Sequence, residues 1–183
     1  VLMIGTLDTK EVELQFLRSC LQEAGVRVVH LDPSVRRTVP GAEIGPDAIA
    51  AAAGTTMEDV RALKHEGKCI AEMIRGSTKA ALDLHARDPL SGIIALGGSM
   101  GTALAAAVMR EFPYGLPKVI ISTMASGFTK PYVGVRDITM MNSVCDVSGI
   151  NTISRDIFRN GALAVAGMAK GYQPAAQGAA AKP

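Results

Sequence analysis

The sequence predicts one α/β domain, residues 1–172, built on a doubly wound parallel sheet of about five strands with helices on both faces. Short, continuous apolar runs alternate with stretches of helical periodicity, which is the pattern of strands buried on both faces. Parallel strands need a crossover, usually a helix, so the alternation itself indicates a parallel sheet. With 183 residues, 48% of them hydrophobic, the chain is long enough for one well-buried core and too short for two.

The predicted elements follow each other as strand and helix along the chain. In the first helix, Leu14, Leu17 and Leu21 recur at helical spacing and Gly25 supplies a stop. We expect the connection 123–136 to carry at most a turn or two of helix, and 173–183 to be a linker or a tail. The predicted strands are residues 1–5, 26–31, 92–96, 118–122 and 137–141, and the predicted helices are 8–24, 47–53, 56–63, 68–86, 102–111 and 152–170.

Composition and charge exclude several classes of partner. The formal net charge is +2, and no basic run is longer than Arg36-Arg37, so we expect no nucleic-acid partner. No apolar run approaches the roughly 18 residues of a membrane span, and no signal peptide is recognisable. The three cysteines, Cys20, Cys69 and Cys145, have no metal-type spacing and lie in apolar stretches. We therefore expect buried thiols in a cytoplasmic protein.

The ligand site is predicted from the order of the strands. In open α/β sheets, ligands bind outside the carboxyl ends of the strands, where the strand order reverses. For five strands the expected order is 2-1-3-4-5, as in flavodoxin-like folds, which places the reversal between strands one and three. Those strands end in GTLDTK, residues 5–10, and LGGSMGT, residues 96–102. We expect the two loops to meet.

The second loop is typical of an anion cradle. Glycines before a helix allow backbone N–H groups to point at an anion, and the helix amino end adds positive potential. Gly97 and Gly98 permit unusual backbone angles, Gly101 permits close approach, and Ser99 and Thr102 offer hydroxyls. The loop fits neither GxxxxGK[ST] nor GxGxxG. The alternative is a tight turn capped by Ser99.

The first loop also has two interpretations. Asp8 and Glu11 have capping-box spacing; alternatively, Asp8 binds a sugar hydroxyl or a metal-bound water. Thr6 and Thr9 could face a ligand, and Lys10 either supplies positive charge there or is an ordinary solvated lysine.

Polar residues also follow strands four and five. STMASG, residues 122–127, follows one, and SVCDVSGIN, residues 143–151, follows the other. Asn151 could cap the last helix, and Asp146 either accepts bonds from loop amides or reaches the ligand. None of the three histidines lies on these edges, which disfavours a histidine base or a histidine metal site.

Five segments together resemble a known family. GTLDTKEVEL, LGGSMGTALAAAVM, LPKVIISTMASG, SVCDVSGINTISR and NGALAVAGM are similar, in order and approximate spacing, to the family of the tomato mosaic virus resistance protein. The resemblance implies two Rossmann-like subdomains, of which this chain is the first, together with ATP binding and dimers. Met100 stands where the family commonly has glycine.

The candidate site residues combine the loop positions with those that the resemblance implies. They are Gly5, Thr6, Asp8, Thr9, Lys10, Gly97, Gly98, Ser99, Gly101, Thr102, Ser122, Thr123, Ala125, Ser126, Asp146 and Asn151.

Three hypotheses for function follow from these residues. The first is a nucleotide-binding domain, with ATP, accompanied by Mg²⁺, as the expected ligand, and with a second subdomain and a homo-oligomer as partners. The second is an enzyme acting on a small acidic or phosphorylated metabolite, assisted by Asp8, Lys10 or Asp146. The third is an interaction or scaffold half whose contact face is the GALAVAGMA helix, where Gly161 and Gly167 permit close packing.

Overall fold

A computed structural model describes residues 1–173 and contains one parallel sheet of five strands. Their spatial order is β2-β1-β3-β4-β5, which confirms the predicted fold class and strand order. The order reverses between β1 and β3, which pair directly, with Met3 opposite Ile94. The strands are β1 Leu2–Ile4, β2 Val29–Leu31, β3 Ile93–Gly97, β4 Lys118–Ser122 and β5 Thr139–Asn142.

Helices cover both faces of the sheet. Helices α1 and α7 contact each other on one face, while α4 and α5 contact each other on the opposite face. A single 3₁₀ turn, Thr123–Ser126, and the one-turn helix α6 form the link between β4 and β5, as predicted. The helices are α1 Leu7–Glu23, α2 Pro46–Ala52, α3 Met57–Ala62, α4 Glu66–Arg87, α5 Ser99–Arg110, α6 Lys130–Val133 and α7 Thr152–Gly171.

The strand sequences explain why both faces are covered. Strands β1, β3 and β4 are buried throughout, and alternate residues of each enter two separate cores. Ile93 and Ile120 pack towards α4 and α5, whereas Ile94 and Ile121 pack towards α1 and α7. Each such side chain contributes roughly 1.5–3 kcal/mol on burial, so the two cores fix the sheet between its helices.

Two further expectations concern cysteines and membranes. Cys20 and Cys69 are buried as expected, but Cys145 is partly exposed, because it lies in the loop that leaves the edge strand. No helix within residues 1–173 is long and apolar enough to cross a bilayer. The predicted tail is residues 173–183, and from residue 174 onward it lies outside the described part of the chain.

Gly161 and Gly167 lie on different sides of α7. Gly161 is buried against the sheet, and a Cβ atom there would lie 2.5 Å from Ile121 Cδ1. Gly167 is exposed, and a Cβ atom at that position would have no neighbour within 4 Å. The Gly161 side of α7 therefore packs against the domain's own sheet.

We expect Gly161→Ala to leave the protein about 1–3 kcal/mol less stable than Gly167→Ala, because only the first substitution overpacks the core. Both changes gain the same helix propensity over glycine. The difference between the free energies of unfolding of the two variants therefore isolates the packing at Ile121. Urea unfolding followed by circular dichroism measures it. Equal stability of the two variants would contradict the close approach of α7 to β4.

Candidate functional site

The carboxyl ends of β1 and β3 open into one cavity of about 580 Å³. Both predicted loops line it, so the structure brings them together at the reversal of strand order. The first loop contributes Gly5, Thr6, Asp8, Thr9 and Lys10, and the second contributes Gly97, Gly98, Ser99, Met100 and Gly101.

Helix α5 begins at the cavity with unpartnered amides. Gly98 is its N-cap and provides no side-chain acceptor. Ser99 is the first helical residue and is exposed, so the alternative in which Ser99 caps the turn is wrong. In residues 1–173, the N–H groups of Ser99, Met100 and Gly101 have no acceptor, and the first bond inside the loop runs from the Thr102 amide to the Gly98 carbonyl, 2.9 Å. These amides and the helix dipole are what an anion requires.

Helix α1 begins at the same cavity, but its amides are already bonded. The Leu7 amide donates to Asp32 Oδ1 at 3.0 Å, and the Asp8 amide donates to Ser34 Oγ at 3.1 Å. Ser34 Oγ in turn donates to Asp32 Oδ1. Burial raises the pKa of Asp32, although its hydrogen bonds with Ser34 and Leu7 oppose this. An anion at the start of α1 would have to displace Asp32 and Ser34 from these amides, so α5 is the better anion site.

Asp8 does not form the predicted capping box. Thr6 is the N-cap of α1 and makes no side-chain cap bond. Asp8 lies inside the first turn, and its Oδ2 accepts the Arg36 amide at 3.0 Å. Glu11 accepts instead from Gln15 Nε2 at 3.2 Å. The capping box fails because the helix starts before Asp8, which leaves this carboxylate facing the loop between β2 and α2, residues 32–45.

Lys10 links the cavity to the loop after β5. Its backbone departs from helical angles, with φ −134° and ψ 29°, and its ammonium donates to the Val147 carbonyl. One turn later, Glu13 Oε1 accepts the Gly149 amide at 2.5 Å. Lys10 is therefore neither a freely solvated lysine nor a cation directed solely at a ligand.

Thr102 and Ser122 lie behind the cavity. Both are fully buried, and their hydroxyl oxygens are 2.6 Å apart. Ser122 Oγ also accepts the Met124 amide at 2.9 Å. The pair joins the first turn of α5 to the end of β4, because Thr102 faces the sheet from inside the helix, and neither residue lines the cavity.

The remaining predicted residues lie along the other end of the sheet edge. Thr123, Ala125, Ser126, Asp146 and Asn151 are outside the cavity lining. Asn151 caps α7 as predicted: its Oδ1 accepts the Ser154 amide at 2.9 Å, in a reciprocal capping box. Asp146 is exposed and accepts no hydrogen bond within residues 1–173.

The opposite wall of the cavity was not predicted from the sequence. It comes from the 32–45 loop and from the corner between α3 and α4. His65 caps α4, with Nδ1 accepting the Lys68 amide at 3.3 Å, and Arg61 Nε donates to the Val35 carbonyl at 2.8 Å. In the sequence, the only sign of this wall was the run of basic and polar residues at the end of α3. This wall consists of Pro33, Val35, Arg36, Arg61, Lys64, His65, Glu66, Cys69 and Ile70, with Ile4, Leu96 and Leu104 behind the two loops.

The wall supplies cations at the rim and apolar side chains inside. Arg36, Arg61 and Lys64 are exposed at the rim, and Arg36 lies 3.8 Å from Glu66. Ile70 is half-buried in the lining. Within residues 1–173, no cluster of His, Cys, Asp or Glu is arranged to hold a metal ion.

Residues 1–174 match the family described as "Uncharacterised protein family (UPF0261) N-terminal domain". The chain belongs to the UPF0261 family. It is 41% identical over 182 residues to a UPF0261 protein of Clostridium tetani, covering 97% of this chain and 44% of that protein. A Rhizobium meliloti member is 42% identical over 169 residues, covering 92% of this chain and 42% of its own length.

The resemblance seen in the sequence is also confirmed. The ToMV resistance protein Tm-1(GCR237) of Solanum lycopersicum is 36% identical over 192 residues, which cover 93% of this chain and 25% of the tomato protein. The UPF0261 chain therefore spans less than half the length of these relatives.

A buried histidine supports the first loop from below. His30 is 2% exposed, and its Nε2 is 2.9 Å from the Gly5 carbonyl oxygen. Burial lowers the pKa of His30 below its usual value, although the bond to Gly5 opposes the shift. The unfolded chain therefore takes up a proton on His30 more readily than the folded domain does.

We expect the domain to lose stability as the pH falls below the usual histidine value of about 6.5. The stability that depends on a neutral His30 is fully present above that pH. By pH 5.5 the free energy of unfolding falls by at most about 1.4 kcal/mol through this group. Urea unfolding of the wild type and of His30→Gln, which keeps an N–H donor for Gly5, measures it. A wild type and variant with the same loss between pH 7.5 and 5.5 would contradict this role of His30.

Proposed function

We propose that this UPF0261 domain binds a nucleotide, with ATP as the expected ligand and its phosphates at the start of α5. One observation carries the proposal: three adjacent unpartnered amides, at Ser99, Met100 and Gly101, open into a cavity that has an apolar wall.

The phosphate end is supported by backbone and charge. A helix amino terminus with free amides favours anions, and no acidic residue lies in the first turn of α5. Ser99 adds an exposed hydroxyl. The rim cations Arg36, Arg61 and Lys64 supply positive charge on the opposite side.

The rest of the cavity suits a flat organic group. Val35, Ile70, Met100 and Leu104 line it, and about 580 Å³ falls within the usual range of roughly 300–1,000 Å³ for small-molecule sites. A phosphate alone would leave this apolar surface uncovered. The combination favours a nucleotide over inorganic phosphate.

Mg²⁺ would enter with the phosphates of ATP, since it is commonly held by substrate oxygens and one or two carboxylates. Asp8 lines the cavity and is the carboxylate for which the sequence predicts contact with a metal-bound water. Its Oδ2 already accepts the Arg36 amide.

Binding is better supported than catalysis. Lys10 donates to Val147, Asp8 accepts from Arg36, and Asp146 lies outside the cavity lining. The three residues that an enzyme of acidic or phosphorylated metabolites would use are thus engaged or distant. A second subdomain, an oligomeric assembly and a cytoplasmic location remain part of the proposal, the last because Cys20, Cys69 and Cys145 are free thiols.

Ser99→Asp tests the phosphate end without harming the fold. A carboxylate in the first turn stabilises a helix by about 0.3–1 kcal/mol but repels a bound anion. We expect ATP affinity to fall at least about tenfold, or 1.4 kcal/mol, while the melting temperature of the free protein is unchanged or higher. Titration calorimetry with ATP, ADP and AMP in millimolar Mg²⁺ measures the affinity.

Ser99→Asn is the matched control, because it has nearly the same shape and no charge, and it should bind ATP almost as the wild type does. Equal ATP affinity of the Asp and Asn variants, or no heat from the wild type with any nucleotide, overturns the proposal. Tripolyphosphate provides a further comparison. If it binds as tightly as ATP, the apolar wall contributes nothing and the ligand is a simpler phosphorylated molecule.

A further inference from the structure

Basic side chains gather on the wall of the cavity that lies opposite the start of α5. Arg36, Arg61 and Lys64 line this wall and are exposed at its rim. Arg36 lies 3.8 Å from Glu66, and an exposed ion pair of this kind is weak. Arg61 and Lys64 pair with no carboxylate of residues 1–173. The wall therefore carries positive charge that the described domain leaves free for a ligand.

A backbone contact holds Arg61 on the far side of the cavity from α5. Its Nε donates to the carbonyl of Val35, in the loop after β2, at 2.8 Å. Its two Nη groups have no acceptor in the part of the chain that the structure describes, so they remain available as a fork of donors. Strand β1 separates β2 from β3, which places the ends of these two strands about 10 Å apart. A phosphate held by the α5 amides thus leaves the Arg61 guanidinium free for a second group.

Lys64 occupies a backbone position that favours glycine. It is the second residue after α3, with φ 48°, and its amide donates to the Arg61 carbonyl at 3.2 Å. This left-handed position at the end of a helix is usually taken by glycine, because a side chain there is strained. The fold accepts that strain and gains a cation beside Arg61 in the cavity lining.

His65 adds a neutral donor to the same wall. Its Nδ1 accepts the Lys68 amide at 3.3 Å, so the ring proton is on Nε2. Within residues 1–173, this Nε2 has no acceptor. The carboxylates of the lining are Asp8, which accepts the Arg36 amide, and Glu66, which lies beside the Arg36 guanidinium. Donors and positive charge prevail on this wall, which suits a second anionic group.

The loop after β2 presents an arginine rather than a carboxylate to the cavity. In doubly wound dinucleotide sites, an acidic residue after β2 binds a ribose hydroxyl, whereas an arginine nearby accommodates a ribose phosphate. Asp32 directly follows β2, but it is fully buried and outside the lining. Its Oδ1 accepts the amides of Leu7 and Ser34, each at 3.0 Å. Arg36 of the same loop does line the cavity, so a phosphate on the ribose would meet a cation there.

We propose that the ligand is a nucleotide with a second phosphate on its ribose, at the 2′ or 3′ oxygen, and that Arg61 and Lys64 bind this phosphate. Arg36 and His65 lie beside them in the lining. The inference rests on the proposed nucleotide site and adds a second anion subsite to it. The base lies in the apolar interior, the 5′-phosphate reaches the α5 amides, and the ribose phosphate reaches the opposite rim.

Three isomers of the same composition test the second subsite. Adenosine 5′-diphosphate carries both phosphates at one end, whereas adenosine 2′,5′-bisphosphate and adenosine 3′,5′-bisphosphate carry one at each end. We expect one of the two bisphosphates to bind at least about tenfold more tightly than the 5′-diphosphate, measured by titration calorimetry of the chain without Mg²⁺. The tighter isomer identifies the ribose oxygen that carries the phosphate.

Removal of either cation should reduce this preference. We expect Arg61→Gln and Lys64→Gly to bring the ratio of bisphosphate to diphosphate affinity towards one. Glycine suits the left-handed backbone at position 64, so the melting temperature of Lys64→Gly should not fall, and a lost preference cannot then come from a damaged fold. Arg159→Gln is the matched control, because it removes one exposed positive charge of α7 outside the cavity lining. It should keep the ratio of the wild type.

The outcomes separate this inference from the proposed function. If the 5′-diphosphate binds and neither bisphosphate binds more tightly, the second subsite is overturned and the nucleotide site stands. Equal ratios for Lys64→Gly, Arg61→Gln and Arg159→Gln also overturn the subsite, because the wall cations would then not bind the ribose phosphate. If neither ATP nor any of the three isomers gives heat, both proposals fall.

Discussion

The amide hydrogens at the start of α5 have no acceptor in the described part of the chain, whereas those of α1, across the same cavity, do. This asymmetry decides which of the two loops can hold an anion. Asp32 and Ser34, which follow β2, accept the hydrogen bonds of the Leu7 and Asp8 amides of α1. The strand order brings both helix ends to one place, and the hydrogen bonds then distinguish them.

The glycines of the two loops have different tasks. A Cβ atom on Gly5 would collide with the Leu14 side chain, and one on Gly97 would lie 3.1 Å from Gly101 Cα. Both glycines therefore let a helix pack closely on its strand. Gly98 has no neighbour nearer than 3.9 Å to its Cβ position, so the space beside the α5 amides stays open. Packing, rather than ligand approach, explains part of this glycine-rich pattern.

The sequence predicted the elements better than it predicted their side-chain partners. Apolar runs and helical spacing were sufficient for the strand order, because each strand had to be buried on both faces. Asp8 was misassigned because its partner, the Arg36 amide, is 28 residues away in sequence and lies in the loop after β2. Thr102 looked like a ligand for phosphate, yet its helical position turns it towards Ser122. The Arg61 to Ile70 wall was missed because no strand ends there.

The most direct test of phosphate binding at the start of α5 is an amide nuclear magnetic resonance titration of the ¹⁵N-labelled chain with ATP and Mg²⁺. We expect the largest shifts at the amides of Ser99, Met100 and Gly101, which gain an acceptor when phosphate binds. The amides of Leu7 and Asp8 should move little, since Asp32 and Ser34 already accept them. Larger shifts at Leu7 and Asp8 than at Ser99 to Gly101, or no shift at either helix start at saturating ATP, would contradict phosphate binding at α5.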